Sequence, residues 1–143
     1  MIRRTLPALS LLLLAAGCSS GTGPDATLWE ATLTPVAPAT ISGVAAAVAQ
    51  ARLTRVSVEI RQAVAGESYG WRVAQGTCAA EGAVVGGLAL YPALAPGSSR
   101  VAGADAVVPG QLDSGGAYAV RILHPAGTGG SQVVACGALV ETP

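Results

Sequence analysis

The chain of 143 residues contains no Phe and no Lys, a single His, a single Met and only 11% charged residues. Each shortage excludes something. Without Phe, the large side chains are limited to Trp29, Tyr69, Trp71, Tyr91 and Tyr118, and the interior must be built from Ala, Val, Leu and Ile. Such a core suits strands and tight turns better than a helical bundle. Every one of the eight basic residues is Arg, the formal charge is zero, and no basic cluster exists outside the extreme N-terminus. Nucleic-acid binding therefore has no electrostatic footprint. A copper or zinc site needs about three or four converging His, Asp or Cys ligands, and His124 is the only imidazole. No Gly-x-Ser-x-Gly elbow, phosphate-cradling loop or pair of Cys-x-x-Cys motifs is present. Asp113, Ser114 and His124 are close in sequence, but a triad is recognised by geometry, and nothing in their spacing suggests one.

What is present begins with an address. Arg3 and Arg4 precede an apolar run, Leu6 to Leu14, and then Ala15-Ala16-Gly17-Cys18. This pattern is a secretory signal, too short to span a bilayer. Small residues before Cys18 resemble a bacterial lipobox, with Ala15 where Leu is commonest and Leu14 one position further back. The expected outcome is cleavage after residue 17 and a diacylglycerol on the Cys18 thiol. An ordinary signal peptide cut near Ala16, leaving Cys18 free, is the other reading. Cleavage before Cys18 leaves six arginines against eight acids, a net charge of −2. The lipid makes the chain "anchored to" a membrane rather than spanning it. Ser19 after the cysteine, in place of an aspartate, favours the outer membrane, by resemblance to lipoproteins of bacteria with two membranes. Residues 18–26 read as a flexible tether, and residues 27–143 as one domain.

Three cysteines are an awkward number for an exported chain. If Cys18 carries lipid, Cys78 and Cys136 remain, and an oxidising compartment allows them to pair.

The domain reads as strands. Val56, Val58 and Ile60 alternate with Arg55, Ser57, Glu59 and Arg61, which predicts a half-buried strand with its charges in water. Thr27–Val36 reads as a first strand. Thr40–Gln50 is rich in Ala, the best helix former, yet Gly43 interrupts it and favours a strand. Tyr69, Trp71 and Val73 should face one way, Arg72 and Ala74 the other. Further strands are expected at Val84–Leu90, Arg100–Val108, Ala117–Leu123, closed by His124-Pro125, and Gln132–Val140. Residues 127–131 read as a hairpin loop rather than an anion nest. About seven or eight short strands with turn signals every roughly 8–12 residues predict an all-β, antiparallel sandwich or flattened barrel.

Several fragments occur in a familiar order: Tyr69-Gly-Trp71-Arg-Val, Gly76-Thr-Cys78, Tyr91-Pro92, Leu112, Tyr118-Ala-Val120 and Val134-Ala-Cys136-Gly137. Together they resemble the Cu,Zn superoxide dismutase-like sandwich and the related chordin-type (CHRD) domains, over about residues 31–139. The resemblance implies a Greek-key order of the strands and a disulfide between Cys78 and Cys136. It also implies a metal site where a His-x-His pair would stand, but this chain has Arg72 and Ala74 there. His124 roughly matches a later copper ligand and is the one weak metal candidate. Arg72 would put a permanent positive charge where a cation should sit. The expected function is thus a non-catalytic, lipid-anchored cell-envelope protein without a cofactor, acting as an interaction or structural module. Its partners would be the membrane, through the lipid, and an unidentified protein or glycan. A divergent superoxide dismutase or copper-binding envelope protein is the alternative.

Overall fold

Inward residues in the strands are apolar and mostly small, and they close one core between two halves of a curved sheet. The computed structural model describes residues 25–126 and 130–143. The expected signal segment, Cys18, residues 18–24 of the expected tether and residues 127–129 of the expected hairpin loop lie outside the described residues. The strands are β1 (Thr27–Pro35), β2 (Ser42–Gln50), β3 (Leu53–Arg61), β4 (Gly70–Gly76), β5 (Glu81–Val84), β6 (Ala102–Pro109), β7 (Tyr118–Ala126) and β8 (Gly130–Thr142). All pair antiparallel, in the order β5-β4-β7-β8-β1-β2-β3-β6. The first three strands form a meander. The chain then crosses to the other end of the sheet for β4 and β5, returns to lay β6 beside β3, and crosses back to lay β7 beside β4. These long returns are Greek-key connections, so the all-β expectation holds, as a half-barrel with one core.

That core is built from Trp29 and Leu33 of β1, Val56, Val58 and Ile60 of β3, Trp71 and Val73 of β4, and Val120 and Ile122 of β7. Trp29 meets Tyr118 edge to face at 5.6 Å, and Trp71 meets Tyr91 the same way at 5.0 Å. β2 is a strand despite its alanines: Ala45, Ala47 and Ala49 are buried while Val44 and Val48 are exposed, the period-two pattern of a sheet. Its Gly43 is required, because a Cβ there would collide with the carbonyl of Glu59 on β3. β8 pairs with both β7 and β1 and so joins the two halves. At the far corner, Leu28 faces Thr142, whose hydroxyl donates to the Leu28 carbonyl at 3.0 Å.

The largest departures from expectation are at β5, β7 and β8. Gly130 and Ser131, inside the expected loop of residues 127–131, belong to β8 because they pair with Ala126 and Pro125 of β7. The strand expected at Val84–Leu90 lies earlier, as β5, and Leu88–Leu90 is a 3-10 turn. Gly86, at φ +71°, turns the chain out of the ladder just after Val85 donates its last bond to Val73. β7 also runs through His124 and Pro125 to Ala126. Pairing with β4 stops at Leu123–Gly70, so among the described residues β7 has one neighbour beyond that point, and a residue without an N–H is tolerated there.

Candidate functional site

In the β4–β7 ladder Arg72 lies opposite Arg121, and Ala74 opposite Ala119. All four project to the outer face, because Trp71, Val73, Val120 and Ile122 fill the inner one. Two guanidinium groups side by side repel and require a shared counter-charge. Glu81, which opens β5, supplies it. Arg72 donates to both carboxylate oxygens, through Nε and, at 3.0 Å, through Nη2. Arg121 Nε stands 3.7 Å from Glu81 Oε2, an ion-pair distance but too long for a hydrogen bond. The hydrogen bond from Arg72 holds the Glu81 carboxyl below the usual carboxylate range, and the same bond raises Arg72.

Arg121 is only 6% exposed. Its Nη2 donates to the Thr77 carbonyl at 2.7 Å, and its Nε has no hydrogen-bond partner among the described residues. Thr77 also accepts, through Oγ1, the N–H of Ala80 at 3.2 Å. The next residue, Cys78, is bonded to Cys136, with S–S 2.03 Å and Cα–Cα 5.9 Å. The pairing expected from the cysteine count and from the resemblance is therefore present. Cys136 itself lies opposite Arg121 on β7 and opposite Thr34 on β1, and the Thr34 hydroxyl donates to its carbonyl at 3.2 Å.

Ala74 is fully buried, and Arg72 is engaged with Glu81. The two positions that the resemblance assigns to metal ligands are thus filled by a packed methyl group and an internal cation. His124 is elsewhere. Its ring lies 5.1 Å from that of Tyr69, a residue of the inner face, and its Nε2 is 3.2 Å from Glu67 Oε2. The sheet separates it from Arg72 and Ala74. Among the described residues no three His, Cys, Asp or Glu side chains converge as a metal site would require. Asp113, Ser114 and His124 do not meet either: the Ser114 hydroxyl donates to Glu141 at 2.8 Å, and the Asp113 N–H donates to the Tyr118 hydroxyl at 3.0 Å.

No protein family, curated protein or solved structure matches this chain. The likeness to the superoxide dismutase-like and CHRD domains accordingly rests on the quoted fragments.

The larger concavity lies on the opposite half of the sheet. A trough of about 930 Å³ crosses the outer faces of β8, β1, β2, β3 and β6. One row across it runs Val140, Glu30, Ala46, Ser57 and Asp105, and the next runs Thr32, Val44, Glu59 and Gly103. Small side chains at Ala46, Ser57 and Gly103 make the floor, while Val44 and Val140 stand up at 52% and 64% exposure. Glu59 is tied to Arg61 at 2.7 Å. The sequence signal for this surface was small residues at outward positions of consecutive strands, visible once the register is known. A second hollow of about 290 Å³ borders Arg72, Leu88, Tyr91 and Leu123. Burial pushes the Tyr91 phenol up, and its hydroxyl donates to the Val85 carbonyl at 2.7 Å.

Proposed function

We propose that this protein is a non-catalytic, lipid-anchored envelope module: a metal-free, superoxide dismutase-like sandwich that presents its outer sheet face to a protein or glycan partner. One observation carries the reading. Arg72, at a position that the resemblance assigns to a metal ligand, is bound by Glu81 beneath a loop that Arg121 and the disulfide both fasten. A fixed guanidinium opposes a cation at that spot, and the paired carboxylate is already satisfied. The trough of small residues and carboxylates, rimmed by Val44 and Val140, offers a recessed floor and apolar edges for a partner carrying hydrogen-bond donors.

The test is metal content together with turnover. The full chain, purified from membranes in detergent and exposed to copper and zinc, should retain neither stoichiometrically after dialysis and should not accelerate superoxide decay. Stoichiometric metal with superoxide turnover would replace this reading with a divergent dismutase. A photo-crosslinking residue in place of Ser57 should give a discrete adduct in intact cells, whereas one at Gln75, outside the trough, should not. Equal labelling from both positions would remove the trough from the proposal.

A further inference from the structure

β6 forms one margin of the sheet and, among the described residues, has a neighbour, β3, on one side only. Gly110, just beyond it, donates its N–H to the Arg52 carbonyl at 2.7 Å. Continuing the antiparallel alternation from that pair, Val108, Ala106, Ala104 and Ala102 direct their N–H and C=O groups toward β3. Those of Val101, Gly103, Asp105 and Val107 point away, along the free margin. Among the described residues they have no backbone partner outside the ladder. Val101 and Val107 are 39% and 41% exposed.

Folded proteins usually guard such an edge with lysines, bulges, inward charges or a short strand. β6 has little of this: one exposed charge, Asp105, and no bulge or inward charge. It pairs with β3 in unbroken register from Ala102 to Pro109, its inward residues are apolar, and its one proline is terminal. The other margin, β5, has four residues and an irregular register. The segment before β6 reaches it at its far end, where Gly86 lies against the inward side chain of Val108.

We propose that two copies of this chain join β6 to β6, antiparallel, about a twofold axis through Ala104. In this register Val101 faces Val107 of the second copy, and Gly103 faces its Asp105. All four outward residues then exchange main-chain bonds, two valine pairs close the ends, and no like charges meet. Centring the axis on Asp105 would oppose two carboxylates, which is unfavourable, and would set Val101 against Pro109, which has no N–H. Centring it on Gly103 would leave Val107 beyond the partner strand. The edge is therefore self-complementary in one register, and the trough, whose margin includes Gly103 and Asp105, would continue from one copy into the other.

The test uses single cysteines in the full chain. A twofold axis at Ala104 makes residue 104 of each copy a non-hydrogen-bonded pair, with Cα atoms about 4.5 Å apart, close enough for a disulfide. Residue 107 would be roughly 20 Å from its own copy. Ala104→Cys should give a covalent dimer on a non-reducing gel, while Val107→Cys and the unmodified chain should not. Adding Gly103→Pro, which removes an outward N–H, should lower the Ala104→Cys yield about tenfold with the circular dichroism unchanged. The proposal is overturned if Ala104→Cys stays monomeric, if Val107→Cys links equally well, or if the linked species contains a different protein.

Discussion

Arg121 lies directly across the β7–β8 ladder from Cys136 and donates to the carbonyl of Thr77, the residue before Cys78. One side chain and one covalent bond therefore fasten the same loop to the same point of the sheet.

The covalent fastening should dominate. The bridge spans a sequence separation of 58 residues, a closure worth about 4 kcal/mol in the chain-entropy account. Replacing both Cys78 and Cys136 by Ala should lower the urea-unfolding free energy by about that amount. A loss under about 1 kcal/mol would show that the unfolded chain is already compact in this region.

Glu81→Gln should change how stability depends on pH. The folded-state carboxyl is held low by the bond from Arg72, so its stabilisation is fully present above the unfolded carboxylate pKa and is lost as pH falls through the folded value. The wild type should lose stability on acidification below the ordinary carboxylate range, and the variant should show a flatter profile there. Glu81 is partly exposed, with 26% side-chain accessibility, so the cost at neutral pH should be about 1 kcal/mol. Equal acid slopes in chemical denaturation would contradict this.

Gly137→Ala should be among the most damaging single-methyl changes. A Cβ at this position would overlap the carbonyl oxygen of Thr32 on β1, a backbone atom that cannot move independently. The expected loss is about 2–3 kcal/mol, readable as a lowered thermal midpoint. Gly66→Ala, with no atom near its Cβ but φ at +83°, should cost about 1 kcal/mol from backbone strain alone.

His124→Ala should be nearly silent. The histidine meets Glu67 at an exposed contact, and exposed pairs contribute about 0–1 kcal/mol. Copper uptake by the full chain should also be the same with and without this side chain. A drop in tightly bound copper would restore His124 as a ligand.

Much of the sheet was legible because it depends on alternation. Val56, Val58 and Ile60 against Arg55, Ser57 and Glu59 placed β3 and its faces, and Tyr69, Trp71 and Val73 did the same for the edge of β4. Gly43 identified β2 as a strand although alanine favours helix, and the reason is tertiary: Glu59 leaves no space for a side chain. β5 was misplaced because Val84, Val85 and Leu88 are apolar, while Glu81-Gly82-Ala83 carries no strand pattern. Its pairing depends on β4 and on the Arg72–Glu81 bond. The cluster itself could not be read. Arg72 and Arg121 are 49 positions apart, and only the ladder shows that they stand side by side. The trough was hidden for the same reason, since Ala46, Ser57 and Asp105 become neighbours only through register.

The facing of Leu28 and Thr142 has a practical corollary for topology. Both ends of the described chain leave the sheet at one corner, so a short glycine-rich linker could join them into a ring. Reopening that ring in the exposed turn at residues 97–99 would move the points of entry and exit while leaving every strand's neighbours in place.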